Sequence, residues 1–280
     1  MRLLPIILAP ALVVPALPVA ALSGPQLMKP RPSIAARAEA DIGPLLEGPQ
    51  RSAANRARDP YRHPVETLNF FGLKPTMTVV EITPSGGWYT EIIAPFLRDQ
   101  GHYFAAGSFP GTEGGAKAVA KFKAKLEADP GSYMNVKTTV FGKGHYDIAP
   151  LGSADMVLTF RNIHNFYIGG YAPEAFNAFF AALKHGGVLG IEEHRLPEDK
   201  PDAMQKTSGY MKVSTVKALA EAAGFKFVAA SPVNANPKDT HDYPKGVWTL
   251  PPTYEEGDTD RAKYTAVGES DRMTLKFVKP

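Results

Sequence analysis

Three short segments carry side chains that could do chemistry. The first, Arg161-Asn162-Ile163-His164-Asn165-Phe166-Tyr167, holds more hydrogen-bonding and titratable groups than a plain connection needs. Histidine titrates near neutrality, so His164 is a candidate general base. The bland alternative is a polar turn with Phe166 and Tyr167 packed into a core. The second segment is Glu192-Glu193-His194-Arg195. Its Glu-His pair could polarise a substrate proton or bind a metal, but no third ligand stands at a recognisable spacing; a charged rim is the alternative. The third is Val79-Val80-Glu81-Ile82-Thr83-Pro84-Ser85-Gly86-Gly87-Trp88-Tyr89. An apolar run ends in an acid, a Gly-Gly turn follows, and helical spacing resumes. A strand, a loop and a helix around a nucleotide-like ligand are written this way, as is an ordinary tight turn.

The elements that must position these residues alternate. Strands are expected at Thr78–Ile82, Tyr103–Ala106, Val136–Phe141, Met156–Phe160, Val188–Glu192, Phe225–Ala229 and Met273–Val278. Helices are expected at Tyr89–Leu97, kinked or shortened by Pro95, at Gly115–Glu127, and at Pro173–Lys184, stopped by Gly186-Gly187. A further helix carries Val216, Leu219 and Ala223 inward, with Ser214 as its cap and Gly224 at its end. This α/β alternation predicts a mostly parallel, Rossmann-like sheet with helices on both faces. Ligands in such sheets bind beyond the carboxyl ends of the strands, where all three segments fall. The polar run Arg51 to Glu66 reads as a solvated helix and turn, or as a lid over the Gly-Gly loop. The turn-rich stretches around Asn234–Thr240, Gly246–Pro252 and Gly268–Met273 read as stabilised loops or a substrate-side lid.

The chain has 280 residues, 44% hydrophobic, with 31 basic against 28 acidic side chains. No basic run is interleaved with aromatics, so a nucleic-acid partner is not indicated. The absence of cysteine rules out disulfides, thiolate metal sites and a cysteine nucleophile. Arg2 followed by the apolar run Leu3–Leu22, ending in small residues, describes a secretory signal peptide. Pro5, Pro10, Pro15 and Pro18 argue against a stable spanning helix there. The expected organisation is a signal peptide over 1–22, a Pro/Ala-rich linker over 23–50 and one domain over 51–280, exported and periplasmic.

At this point the residues resemble a known family. The strand–Glu81–Gly86-Gly87–helix element, the strand from Asp155, and Leu183-Lys-His-Gly-Gly-Val-Leu-Gly190 look like a class I S-adenosylmethionine-dependent methyltransferase. The chain is similar, more narrowly, to bacterial predicted methyltransferases that carry a signal peptide, through Arg62-His63-Pro64, Gly86-Gly87-Trp88-Tyr89, Arg161–Asn165, Asn234–Thr240 and Glu269–Phe277. The resemblance implies a seven-stranded sheet with a reversed last strand and S-adenosyl-L-methionine as cofactor. It places the methionine part of the cofactor at Glu81, Thr83, Pro84, Gly86 and Gly87, flanked by Trp88 and Tyr89. It places the adenine side near Tyr146 and Asp147 and the side of the small-molecule methyl acceptor near Arg161 to Tyr167, with Ser108, Asp147, Arg161 and Asn162 counted among the cofactor-binding residues and Tyr167 among the catalytic ones. His164 or His194 would deprotonate or orient an acceptor oxygen or nitrogen, with Tyr167 and Trp88 shaping the pocket and no metal required. Two departures stand. Thr83-Pro84-Ser85 replaces the first of the family's spaced glycines, and the second strand ends in Gly107-Ser108 where an acid usually meets the ribose. The alternatives are an exported ligand-binding module on the same fold, or another reaction class.

Overall fold

The computed structural model describes residues 41–280; the expected signal peptide and most of the expected linker lie outside the described residues. Four short helices come first: α1 (Gly43–Leu46), α2 (Ala53–Arg56), α3 (Asp59–Arg62) and α4 (Pro64–Phe71). The alternating part then runs β1 (Thr78–Ile82), α5 (Thr90–Leu97), β2 (His102–Gly107), α6 (Glu113–Ala128), α7 (Pro130–Tyr133) and β3 (Val136–Val140). It continues through β4 (Ala154–Phe160), α8 (Ile163–Ile168), α9 (Ala172–Ala182), β5 (Leu183–Leu196), β6 (Met211–Lys212), α10 (Val213–Ala222), β7 (Lys226–Ser231), α11 (Arg261–Val267) and β8 (Arg272–Val278).

The main sheet has the order β3-β2-β1-β4-β5-β8-β7. Its strands are parallel from β3 to β5, and β8 is antiparallel to both β5 and β7. This is the expected seven-stranded Rossmann-like sheet with a reversed last strand; the two-residue β6 adds a pairing at the far end of β5. The chain builds outward from β1 to β3, then restarts beside β1 with β4. The crevice between β1 and β4 is therefore the topological switch point, the favoured ligand site of open α/β sheets.

The period of two along each strand splits the core between the sheet's faces. Val79, Ala105, Met156 and Leu158 face one layer with α4 and α5, while Val80, Ile82, Ala106 and Val157 face the other with α9 and α10. Ile42 joins the first layer and is only 1% exposed, so the segment just before α1 is packed.

Three local expectations are corrected. Ser214 does not cap α10; it lies inside the first turn, and its hydroxyl donates to Glu198 at 2.5 Å. Helix α9 stops at Ala182, short of Gly186-Gly187, because Leu183 already pairs with Ala154 as strand. The segment 163–168 is a helix, α8, whose first amides are bound by a carboxylate from β5. No helix among the described residues is long and apolar enough to cross a membrane.

Candidate active site at the switch point

The loop after β1 is held by its backbone. Thr83 donates its amide to Ala106 O at 2.8 Å, extending the β1–β2 ladder, and Gly87 N closes a turn onto Pro84 O at 2.8 Å. Thr83, Ser85 and Gly87 take positive φ values of 51°, 53° and 77°. Left-handed backbone costs an L-residue roughly 1–2 kcal/mol, and a β-branched threonine is a genuine outlier there. The loop thus keeps a glycine-like path at two positions that are not glycine. Gly87 needs its freedom, since an added Cβ would also sit 2.8 Å from Lys125 Cε. At Gly86 an added Cβ meets nothing within 4 Å, so that position is open.

Beside this loop lies a mostly apolar cavity of about 500 Å³. Thr83, Pro84 and Ser85 line it with Gly107 and Ser108 from the end of β2, over Phe122, Leu126 and Tyr133. Glu81 is 3% exposed. Its Oε2 accepts from Tyr103 and, at 3.2 Å, from Thr90. Burial outweighs these bonds and pushes the carboxyl up to about 7. Oε1 has no protein partner among the described residues, yet is not one of the sealed, unsatisfied atoms.

The ends of β4 and β5 are held by side chains instead. Glu193 is fully buried, and both of its oxygens are occupied. Oε2 accepts from the amides of Ile163 and His164 at 2.5 and 3.2 Å. Oε1 accepts from His164 Nδ1 at 2.9 Å and from the His194 amide at 2.8 Å. Nδ1 of His164 thus faces the carboxylate, and Nε2 points away from it. His194 lies alongside, ring centres 5.3 Å apart, with Nδ1 2.6 Å from Ser270 Oγ. Burial, then the neighbouring His164 and three arginines, push His194 well below the usual histidine range and keep it neutral. Trp248 stands 6.0 Å from the His164 ring and Tyr210 6.2 Å from the His194 ring, so the pair has aromatic walls.

His164, Glu193 and His194 are also the one grouping among the described residues whose possible metal-ligand atoms converge, within 4.8 Å of one another. His164 supplies the third residue that spacing along the chain did not reveal. Yet Glu193 already receives four donors, and coordinating an ion would break the bonds that hold α8. The arrangement reads as a carboxylate-oriented histidine beside a neutral one.

An ionic layer backs this pair. Glu192, fully buried, accepts from Arg161 Nη1 at 3.1 Å, Arg272 Nη1 at 3.0 Å and Tyr89 OH at 3.0 Å. Burial alone would raise it, but Arg272 and Arg161 hold it below the usual carboxylate range. Glu269 binds Arg58, Arg62 and Arg272 and, against the effect of burial, is drawn down to about 2. The run from Arg51 to Glu66 is solvated in part, as at Ser52, Tyr61 and Glu66, but two of its arginines are not. Arg51 and Arg62 are buried, with guanidinium carbons 4.8 and 4.7 Å from the Trp88 ring centre.

The remaining expected residues have the following places. Asn162 ties the strands across the switch point through Nδ2 to Ile82 O at 3.0 Å. Arg161 sits at φ 58° at the end of β4, partly exposed. Trp88 is packed against the arginines and donates to Asn55 O at 2.9 Å; Tyr89 stacks on Phe160 at 3.6 Å. Tyr167 packs against the Phe141–Phe179 layer, and Asp147 is exposed after β3. Ser108 lines the cavity. Sequence reading missed Tyr210 as a wall; Trp248 and Ser270 lie in the stretches read as loops or a substrate-side lid, but their partners His164 and His194 were not foreseen. In the stretch Gly268–Met273, Asp271 pairs with Arg195, and Arg272 with Glu192 and Glu269.

No model of a known protein family matches the sequence, and no curated protein matches it. Solved structures do match the fold. An S-adenosylmethionine-dependent methyltransferase from Aquifex aeolicus aligns with TM-score 0.55 at 15% identity, over 86% of this chain and 99% of that one. A putative sarcosine dimethylglycine methyltransferase from Galdieria sulphuraria gives 0.53 at 12% identity, over 82% and 88%. The 4+2 cyclase SpnF gives 0.54 at 15% identity, over 86% and 93%. At these identities the likeness is one of architecture, and together with the strand order it shows that the chain has the class I S-adenosylmethionine-dependent methyltransferase fold.

Proposed function

We propose that the chain transfers a methyl group from S-adenosylmethionine to an oxygen or nitrogen of a small-molecule acceptor. The observation that carries this reading is the His164–Glu193 pair, held at the carboxyl ends of β4 and β5 in a fold whose β1 loop keeps a glycine-like path. The residues present fit the cofactor: the loop 83–87 can be approached closely, Glu81 Oε1 can meet an amine, and Ser108 can meet a hydroxyl at the end of β2. When bound, S-adenosylmethionine supplies an electrophilic methyl and its own leaving group. His164 Nε2 takes the acceptor's proton, while Glu193 fixes the tautomer and stabilises the imidazolium that forms. Neutral His194 orients the acceptor without repelling that charge. Trp248 and Tyr210 restrict the acceptor's freedom, and positioning of this kind accounts for much of the rate in a displacement reaction.

Export, read from residues 1–22, is part of the same proposal. A serine where a carboxylate usually meets the ribose favours, as a second reading, an exported binding protein on this fold. Calorimetric titration of the purified chain with S-adenosylmethionine and S-adenosylhomocysteine separates the two. Micromolar binding of both supports methyl transfer. Absence of binding up to millimolar, in a folded sample, overturns it and favours the second reading.

A further inference from the structure

Two ionic networks draw in the arginines of residues 51–62, and they differ in charge. In the first, Arg51 and Lys125 meet Asp59 and Glu91, and the signs balance. In the second, Arg58, Arg62, Arg161 and Arg272 meet Glu192 and Glu269, which leaves two positive charges in excess. The nearest other carboxyls do not cancel that excess. Glu193 turns its oxygens to the start of α8 and to His164, and Glu81, raised to about 7 by burial, is only part-ionised at neutral pH. Uncompensated charge is costly away from water, and Arg62 and Arg272 are buried while Arg58 and Arg161 are only partly exposed, so the excess calls for a counter-ion.

The donors that would receive one are identifiable. Arg161 gives a protein acceptor only Nη1, and Arg62 gives one only Nε, among the described residues. Neither side chain has a sealed, unsatisfied nitrogen, so their remaining N–H groups keep some access to solvent. Arg161 is anchored at the end of β4, three residues before His164. A guanidinium fork matches a carboxylate or phosphate in shape as well as charge.

We propose that Arg161 and Arg62 form a receiving site for an oxyanion, a carboxylate or phosphate borne by the small molecule that binds at this end of the sheet. The site deepens the methyl-transfer reading by giving the bound species a negative group, but its existence does not depend on methyl transfer. That group belongs to the acceptor or to the amino-acid end of the cofactor, and the test distinguishes them.

The probes are inorganic phosphate, S-adenosylhomocysteine and 5′-methylthioadenosine, which lacks the amino-acid end, titrated into the full chain and into Arg161→Gln and Arg161→Lys. Phosphate is expected to bind the parent chain and raise its melting temperature above that in chloride of equal ionic strength. Arg161→Gln is expected to weaken phosphate by about tenfold or more, and Arg161→Lys to keep part of the affinity. If Arg161→Gln also weakens S-adenosylhomocysteine but spares methylthioadenosine, the anion is the cofactor's. If both nucleosides are spared, it is the acceptor's. Phosphate that gives no protection beyond chloride in the parent chain overturns the proposal whether or not the variants fold. Equal phosphate binding by folded Arg161→Gln overturns it as well. Phosphate binding that needs Arg161, in a chain that binds neither nucleoside, keeps the oxyanion site and sinks methyl transfer.

Discussion

The loop after β1 and the ends of β4 and β5 lie at the same, carboxyl end of the sheet but are built on different principles. The loop is shaped by main chain: Thr83, Ser85 and Gly87 follow a left-handed path pinned by backbone hydrogen bonds, beside an apolar cavity. The strand ends are shaped by side chains: Glu192, Glu193 and Glu269 are buried and each accepts from several donors. A backbone-defined site tolerates changes of side chain, because the path survives them. A charge-defined site does not, because removing one partner strands another in low dielectric.

The difference can be broken most directly at Glu192. Glu192→Ala leaves Arg161 and Arg272 without their shared acceptor, and a loss of about 3–5 kcal/mol of stability is expected from urea unfolding. A loss below about 1 kcal/mol, the level of an exposed pair, would mean the network is solvated and the contrast false.

His164→Asn sharpens the functional side. It is expected to lower turnover by about 10²–10⁴-fold, read as S-adenosylhomocysteine released from S-adenosylmethionine in a small-molecule extract. Calorimetric affinity for S-adenosylhomocysteine should not change, since the loop does not use that imidazole. Unchanged turnover would remove His164 as the base.

Glu81 belongs to the loop side yet is titratable. Its carboxyl rises from 4.5 to about 7 on folding, so between those values the folded chain holds a proton that the unfolded chain has released. Stability therefore falls as pH rises through that window, by up to on the order of 3 kcal/mol. Glu269 acts oppositely and lower down: drawn to about 2, it contributes stability present above 4.5 that is lost as pH falls toward 2. Comparing unfolding of the parent and Glu81→Gln from pH 4.5 to 7.5 isolates the first effect, because the variant should lose that slope. A parallel slope in both would assign it elsewhere.

The smallest effect is expected at the strained positions. Thr83→Gly or Ser85→Gly should relieve left-handed strain and stabilise by about 0.5–1 kcal/mol after the entropy cost of glycine. Destabilisation by either would show that the side chain, and not the path, holds the loop.

Most of the sheet was legible because its strands carry their own signal. Val79-Val80-Glu81-Ile82 and Met156-Val157-Leu158-Thr159-Phe160 are short apolar runs bounded by turns, and β1 lies where that pattern puts it. Helix and turn were legible between Arg51 and Glu66, but the burial of its arginines was not. Arg51 and Arg62 look solvated in a one-dimensional reading. Only stacking on Trp88 and pairing with Glu269 bring them inside. Thr83-Pro84-Ser85 read as a lost glycine, since residue type reports what backbone path is easy and not what path is imposed.

Sequence alone determined the α/β alternation, the reversed last strand through the family likeness, and the polar character of the segments after β1, β4 and β5. Tertiary structure decided which of those groups meet. His164 and Glu193 are 29 residues apart, and Arg62 and Glu269 are 207 apart. Periodicity reports the face a residue presents to its own layer. A carboxylate's partners are set by strand order and register, which place β5 between β4 and β8 and so bring His164, Glu193 and Ser270 to one point.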